Sequence, residues 1–527
     1  MKPALPVGRY RAVWNGDSGH TPLNPALFRE NDRSLISTGP LSFYFPGAGT
    51  TAYIFSDLRY SGMLDAQEIT HRFLDMKLQV HPEVVRHIME QDEPELIDRI
   101  IAAVPKETIV VSAKHIPGVK PVRDGMRFHV DPAVEVVSGS SGTSGPVNGT
   151  GDYLHYFRDR YSRLGGMIRS RVGAMPIEGL SKNTRYRQEE CTVIGMVSEV
   201  KTTTNGHRIA EIEDSSGTIS VLFRKDRPVF TDAERIIYDE VIGVKGKLSS
   251  DGKLFFAEIL YRPDIRIDNA PFKSEEPGKA VFISDTHVGS DTFLSASWNK
   301  FADWLSDSDY SYLLIAGDLV DGIGIYPNQD AELTIKNIYE QYDAFGAMMQ
   351  DLPSRMKIIL SPGNHDVVRG AEPQPVLPEQ FTRKFPQNCV LVENPALVRL
   401  QGVRVLMYHG RSIDDMIGLI PGASYEKSGL MMEEMLIRRH LAPAYGRRTP
   451  IAAGKTDRLI IDPLPEILHT GHVHIKGITN YRGVLGINAG TWQSQTKFQK
   501  QMNVNPTPAL AVAVDLQTLV PETFSFL

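Results

Sequence analysis

The stretch "ILSPGNHDVV", residues 359–368, decides how the rest of the chain is read. An apolar run reaches Leu360 and breaks at Ser361-Pro362-Gly363, residues that do not continue a central strand. An amide, an imidazole and a carboxylate follow at once: Asn364, His365 and Asp366. Alone, "GNHD" reads as an ordinary turn, but the device recurs. "AVFISD" ends at Asp285, with His287 two residues on. "YLLIAGD" ends at Asp318, and Asp321 follows. "VRVLMYHG" ends at His409, and "EILHTGHVHI" delivers His472 and His474. Between these runs lie stretches of helical period, "SASWNKFADWLSDS" and "AELTIKNIYEQYDAFGAMMQDL". The alternation predicts an α/β domain, whose site forms beyond the carboxyl ends of its strands.

Imidazoles and carboxylates at buried strand ends are costly unless something satisfies them, and a metal does so. The donors are nitrogen and oxygen without sulfur, which disfavours structural zinc and iron–sulfur clusters. The set suits manganese, iron, nickel or zinc in an open site. Asp285, His287, Asp318, Asn364, His409, His472 and His474 are too many ligands for one catalytic ion. They suffice for two divalent ions if one carboxylate bridges. Two ions about 3.5–4 Å apart clamp a phosphodiester and lower the pKa of a bound water toward about 7.

The other features set bounds. A chain of 527 residues exceeds one ordinary domain. Hydrophobic residues at 41% and charged residues at 23% are usual for a soluble globular protein. A net charge of −6 means that any nucleic-acid surface is a local patch. Two cysteines, Cys191 and Cys389, exclude a disulfide scaffold and fit a cytoplasmic location. No apolar run approaches a membrane span, and the N-terminus lacks a signal-peptide core, so no membrane role is expected.

Along the chain, residues 1–62 read as an irregular extension rich in Gly, Pro, Ser and Asn. Residues 63–137 open with apolar residues at helical spacing: Ile69, Phe73, Leu74 and Met76, then Val84, Val85, Ile88 and Met89. This predicts a small helical module, for partner binding or for structure alone. Residues 138–151, "SGSSGTSGPVNGTG", predict a flexible linker. Residues 152–187 begin with a helix carrying Tyr153, Tyr156, Phe157 and Tyr161 among Arg158, Arg160, Arg163, Arg169 and Arg171. That face is either solvated or a nucleic-acid contact. Residues 188–268 alternate apolar and polar residues between Gly-containing turns, with an insert at 228–238, and predict an OB-fold. Its sparse aromatics, mainly Phe223, Phe255 and Phe256, favour protein docking with possible DNA contact. Residues 278–527 hold the strand-end donors.

The ordered pattern D-x-H, GD, GNHD, H and GHxH resembles the calcineurin-like metallophosphoesterase superfamily. The resemblance implies that Asp285, His287 and His474 hold one metal and that Asp318 bridges. Asn364, His409 and His472 would hold the second. His365 would approach the scissile phosphate and protonate the leaving 3′-oxygen, with Asp366 orienting its ring. It also implies the fold of the last segment, a calcineurin-like α/β phosphoesterase sandwich behind an N-terminal helical module and an OB-fold barrel.

This domain order, with "VFISDTHVGS", "DYLHYFRDRYSRL", "MLIRRHLAPAYGRRTPIA" and "HTGHVHIKG", resembles the small-subunit family of archaeal DNA polymerase D (DNA polymerase II). The likeness covers about residues 63–527, and Met63 is an alternative start. It implies a 3′–5′ exonuclease with two divalent ions, Mn2+ by family expectation, acting on single-stranded 3′ ends to proofread. It implies a large catalytic subunit as heterodimer partner and a sliding clamp reached through the holoenzyme. The similar non-catalytic subunits of eukaryotic replicative polymerases have lost metal ligands, whereas every position is filled here. A metal-free scaffold subunit and a phosphodiesterase of small nucleotides are the alternatives; the barrel argues against the latter. The basic stretch "RRHLAPAYGRR", with Arg438, Arg439, Arg447 and Arg448, is either a solvated loop or a flank for DNA phosphates.

Overall fold

The structure, a computed structural model, describes residues 150–182 and 189–527 throughout, residues 132–138, and parts of 41–111. Most of 1–62 and of the expected linker lies outside the described residues. The chain divides into two compact units, Met1–Asp124 and Gly125–Leu527.

In the first unit, helices Ala66–Asp75, Pro82–Gln91 and Pro94–Ala103 bury one stripe each. Ile69, Phe73, Val84, Val85, Ile88, Ile97 and Ile100 form their shared core, as the helical spacing predicts. Met76 and Met89, expected inside, are exposed. Two short strand pairs join this unit, Leu41–Phe43 with Ala52–Ile54 and Gln79–Val80 with Val110–Val111. The former lies within the extension expected to be irregular.

The second unit contains a closed five-stranded barrel and two six-stranded sheets. The barrel strands are Cys191–Thr202, Arg208–Asp214, Gly217–Phe223, Val241–Leu248 and Leu254–Tyr261. The last pairs parallel with the third, and a short helix, Phe230–Ala233, precedes the fourth. Phe223 and Phe255, named as stacking candidates, are buried in the barrel core, because alternation points them inward.

The first sheet runs in the order Cys389–Leu391, Lys357–Ser361, Tyr312–Ala316, Lys279–Ile283, Leu510–Asp515, Pro521–Ser525. Its first four strands are parallel. The second sheet has a parallel centre of Val403–Met407, Ile467–Thr470 and Val484–Asn488. Strand alternation sorts the apolar runs into layers. Ala280, Phe282, Tyr312 and Leu314 meet Val405, Met407, Ile467 and Ile487 between the sheets. Val281, Ile283, Leu313 and Ile315 turn instead to Trp298, Phe301, Phe345 and Met349 on the outer helices. Leu406 and Leu468 face Met431, Met432 and Met435 on the far side. Burial on both faces explains why these strands are continuously apolar.

The structure changes three sequence expectations here. The helix in "AELTIKNIYEQYDAFGAMMQDL" spans only Ile338–Gln350, because Asn337 accepts from Tyr339 N and caps it. Val134–Ser138, assigned to the helical module, is an edge strand of the second sheet, paired with Ala396–Leu400. The basic face of the helix Thr150–Arg169 is only partly solvated: Arg158, Arg169 and, just beyond the helix, Arg171 are exposed, Arg163 is half-buried and Arg160 is buried. Arg160 is fully buried, donating to Asp457 Oδ2 (2.7 Å), Pro443 O (2.6 Å) and Tyr156 Oη (2.9 Å). Arg163 reaches Asp457 O and Asp462, and Arg169 reaches Tyr161. The helix therefore joins barrel to sandwich, with Leu164 and Ile168 against Ile194, Val241 and Ile460. Arg158 alone of the five stands exposed without a partner of this kind among the described residues.

Burial works against ionising Asp457, yet His440 and Arg160 hold its pKa below the carboxylate range. Removing one partner of such a pair strands the other as a buried charge. Asp457→Ala is expected to destabilise the full chain by about 3–5 kcal/mol, read from its urea midpoint. An unchanged midpoint would contradict the role given to this pair.

Candidate metal centre

Each candidate donor sits where a buried strand runs out. Asp285 and His287 follow Lys279–Ile283, Asp318 follows Tyr312–Ala316, and Asn364 and His365 follow Lys357–Ser361. His409 follows Val403–Met407, and His472 and His474 follow Ile467–Thr470. The turns are sharp. Asp285, His287, Asp318, His472 and His474 all have positive φ, between 47° and 71°. Non-glycine residues pay about 1–2 kcal/mol each for that conformation, a strain that collects at functional sites. Gly363 lets two of the loops close together: a Cβ there would lie 2.2 Å from Asp318 Oδ1. This gives the glycine of "SPGNHD" a reason that the sequence alone does not show.

The donors converge into one pocket. Asp285, His287 and His474 form one cluster, and Asp318, His409 and His472 another. Asp318 lies between them. Its Oδ1 accepts from His365 N (2.8 Å), which leaves Oδ2 free to face inward. That oxygen is 3.3 Å from His409 Nε2, 3.7 Å from His287 Nε2 and 4.0 Å from His365 Nε2. Asp285 Oδ1 is 3.4 Å from His474 Nε2, and Asn364 Oδ1 is 3.1 Å from His409 Nε2.

Outer contacts fix the rings. His409 Nδ1 donates to Ala316 O (2.9 Å), and His365 Nδ1 donates to Asp321 O (2.7 Å). His287 Nδ1 is 3.1 Å from Asp321 Oδ1. Asp321 is itself held by the side-chain amides of Gln329 and Gln493. These partners place the ring proton on Nδ1 and leave each Nε2 bare toward the centre, the arrangement that suits metal-ligating histidine. His474 Nδ1 lies 2.8 Å from the Gln499 amide, and His472 Nε2 lies 3.2 Å from Asp414 Oδ2.

The result is a ring of acceptors, carboxylate oxygens, an amide oxygen and bare imidazole nitrogens, aimed at one another. A cation satisfies them all, and the N/O donor set fits a divalent ion. Without one, protons substitute. Burial opposes charging His409, yet Asp318 beside it lifts its pKa to about 10. Burial likewise opposes ionising Asp318, and His409 and His365 carry its pKa well below the usual range.

One residue has a different job from that expected. Asp366 does not accept from the His365 ring. Its carboxylate accepts from Gly363 N (2.8 Å), Leu319 N (3.2 Å) and Tyr342 Oη (2.8 Å). It ties two donor loops together, and burial raises its pKa to about 6. The main-chain carbonyl of Asp321 orients His365 instead. Asp321, Asp414 and Gln499 received no role from the sequence. Only Asp321 gave a signal there, three residues beyond Asp318.

The basic stretch splits as well. Arg438 is buried, pairing with Glu240 and Glu434, while Arg447 and Arg448 are exposed. Arg438 therefore cannot flank a DNA phosphate.

Residues 280–476, which include every candidate donor, match the family model that describes the B subunits of DNA polymerases alpha and epsilon. The DNA polymerase II small subunit of Methanothermobacter thermautotrophicus is 44% identical over 391 residues, covering 71% of this chain and 79% of that protein. The chain belongs to this small-subunit family. A family member from Archaeoglobus fulgidus is 43% identical over 388 residues, covering 71% of this chain and 77% of its own. One from Pyrococcus abyssi is 38% identical over 383 residues, covering 69% and 61%. A solved archaeal phosphodiesterase aligns at 15% identity and a TM-score of 0.26, covering 47% of this chain and 98% of its own, too slight a likeness to argue from. Among the described residues no helix is long and apolar enough to cross a membrane.

Asp321→Ala removes the carboxylate that fixes His287. It is expected to lower divalent-metal affinity about 10–100-fold, measured by calorimetry on the full chain.

Proposed function

We propose that this family member is a metal-dependent 3′–5′ exodeoxyribonuclease that proofreads as the small subunit of a heterodimeric archaeal DNA polymerase. The observation that carries the reading is the inward-facing Asp318 Oδ2, with bare imidazole nitrogens from both clusters around it. Asp285, His287 and His474 would hold one divalent ion, and Asn364, His409 and His472 the other, with Asp318 shared. Manganese is the expected ion. When bound, such a pair supplies Lewis acidity to the phosphodiester and hydroxide at neutral pH.

The chain's own residues do the rest. His365, anchored through Nδ1, presents Nε2 toward the same space; a proton taken from solvent onto that nitrogen is then passed to the leaving 3′-oxygen. Asp366 and Tyr342 fix the loop on which His365 rides. Asp321 orients two rings at once, one through its carboxylate and one through its carbonyl. The barrel strand order and the helix before its fourth strand support reading it as an OB-fold. The layered sandwich supports the calcineurin-like reading of residues 278–527. The partner would be a large catalytic subunit, with single-stranded 3′ ends as substrate and the sliding clamp reached through the holoenzyme. A primer end that is mispaired frays at lower cost, which would favour removal of errors.

His365→Ala is expected to abolish degradation of single-stranded DNA while leaving manganese binding intact. Degradation at the wild-type rate would remove His365 from the chemistry. Elemental analysis separates this reading from a metal-free scaffold: protein that takes up no divalent metal would favour the scaffold.

A further inference from the structure

A second polar cavity lies away from the candidate metal centre. Its volume is about 370 Å³, and its lining sets three cations, Arg171, Arg266 and Arg439, against one carboxylate, Asp268, with Asn269, Ala270, Ile265 and Leu464 completing the wall. Leu464 precedes the strand Ile467–Thr470, at the opposite end from the loop that carries His472 and His474. Arg171 follows the helix Thr150–Arg169, and Ile265 to Asn269 belong to the connector between barrel and sandwich.

Arg439 is the unusual member. It caps the helix Ser428–Arg438 with a left-handed backbone, φ 52°, and is only 8% exposed. Its Nε and Nη2 both donate to Ile461 O, at 2.8 and 2.6 Å. No carboxylate pairs with it among the described residues. A buried guanidinium without a counter-ion is expensive. Burial pushes its pKa down to about 10; Asp462 opposes this, and nearby Arg171 adds to it. Of the neighbouring cations, Arg266 meets a carboxylate of the pocket wall, Asp268, and Arg171 meets none. Arg171 donates to the main-chain carbonyls of Pro263 and Asp264. Arg266 pairs only with Asp268, and that pair is largely exposed.

We infer that this pocket binds a nucleotide through its phosphate, with Arg439, Arg171 and Arg266 as the oxyanion-binding groups. Planar guanidinium forks match phosphate oxygens in pairs, and the missing negative charge is what Arg439 lacks. The cavity exceeds a bare phosphate and falls within the range of small-molecule sites, about 300–1,000 Å³. Ile265 and Leu464 offer apolar wall to a base or sugar; the Asn269 amide nitrogen donates to Arg482 O (2.8 Å), which leaves its oxygen as the acceptor for a base edge. A free nucleotide and one residue of a single strand share this chemistry. The site is independent of the proposed metal chemistry, because none of its residues belongs to the donor set.

The test uses the full chain stripped of metal with EDTA, so that phosphate cannot bind at the candidate metal centre. Calorimetry would measure dAMP and a twelve-residue oligo-dT, each against wild type, Arg266→Glu and Arg439→Gln. Binding by the wild type, weakened about tenfold or more in either variant, supports the site. Loss of the oligonucleotide alone identifies a strand as the source; loss of both ligands identifies a nucleotide of either kind. Arg266 is exposed, so Arg266→Glu decides the matter if Arg439→Gln does not fold. Failure of the metal-free wild type to bind either probe, or wild-type affinity in the folded variants, overturns the proposal. Variants that release a co-purifying protein while keeping nucleotide affinity would overturn it in favour of an acidic protein surface.

Discussion

One carboxylate oxygen organises this molecule. Asp318 Oδ2 is turned into a buried space with imidazole nitrogens on two sides, and its partner oxygen is tied to His365 N. Such a group is unfavourable unless positive charge stands beside it. The sandwich supplies the means of enforcing it. Five strands of the two sheets run out into one pocket, and the loops after three of them turn through left-handed backbone to aim the donors together. The strain is held by layers of apolar packing on both faces of each sheet.

A second theme is the use of arginine as internal joinery. In the sequence, the helix Thr150–Arg169 and the stretch around Arg438 look alike, since both mix cations with apolar residues. Folded, Arg160 closes on Asp457, and Arg438 on Glu240 of the barrel and Glu434 of its own helix. Arg438–Glu240 crosses from sandwich to barrel, and Arg160–Asp457 ties the connecting helix to the sandwich, so that together they fix the relative placement of the two. Buried pairs of this kind add little net stability against apolar substitutes, but they tolerate few alternative arrangements. The orientation of the barrel is thereby specified more sharply than apolar contact alone would achieve.

The site was more legible than its surroundings. Asp285, His287, Asp318, Asn364, His409, His472 and His474 stand out because apolar strands stop abruptly at them, and the strand period is a strong local signal. The groups that orient them were hidden. Asp321 works partly through a carbonyl, Gln499 comes from a short helix far along the chain, and Asp366 turns away from its neighbour toward Tyr342. None of these contacts has a local pattern, because each depends on loops meeting in space. The same limit explains the arginines: period reveals that a helix has a basic face, not which neighbour neutralises it. The strand Val134–Ser138 was missed because a single short apolar alternation beside a Gly/Ser tract carries no sign of a distant partner.

That strand has a consequence for how the polypeptide is made. Val136 lies opposite Val398, roughly 260 residues downstream. The sheet it borders cannot be completed until the barrel and half of the sandwich have left the ribosome. Through that interval Val134–Ser138 waits without a partner, and until it docks the outer side of Ala396–Leu400 is open too; an unpaired margin of backbone invites association with other chains. Sealing it is a long-range closure, late and slow by nature. A fragment cut to begin at the barrel would keep that margin open permanently, so the sandwich is complete only with a piece of chain that precedes it.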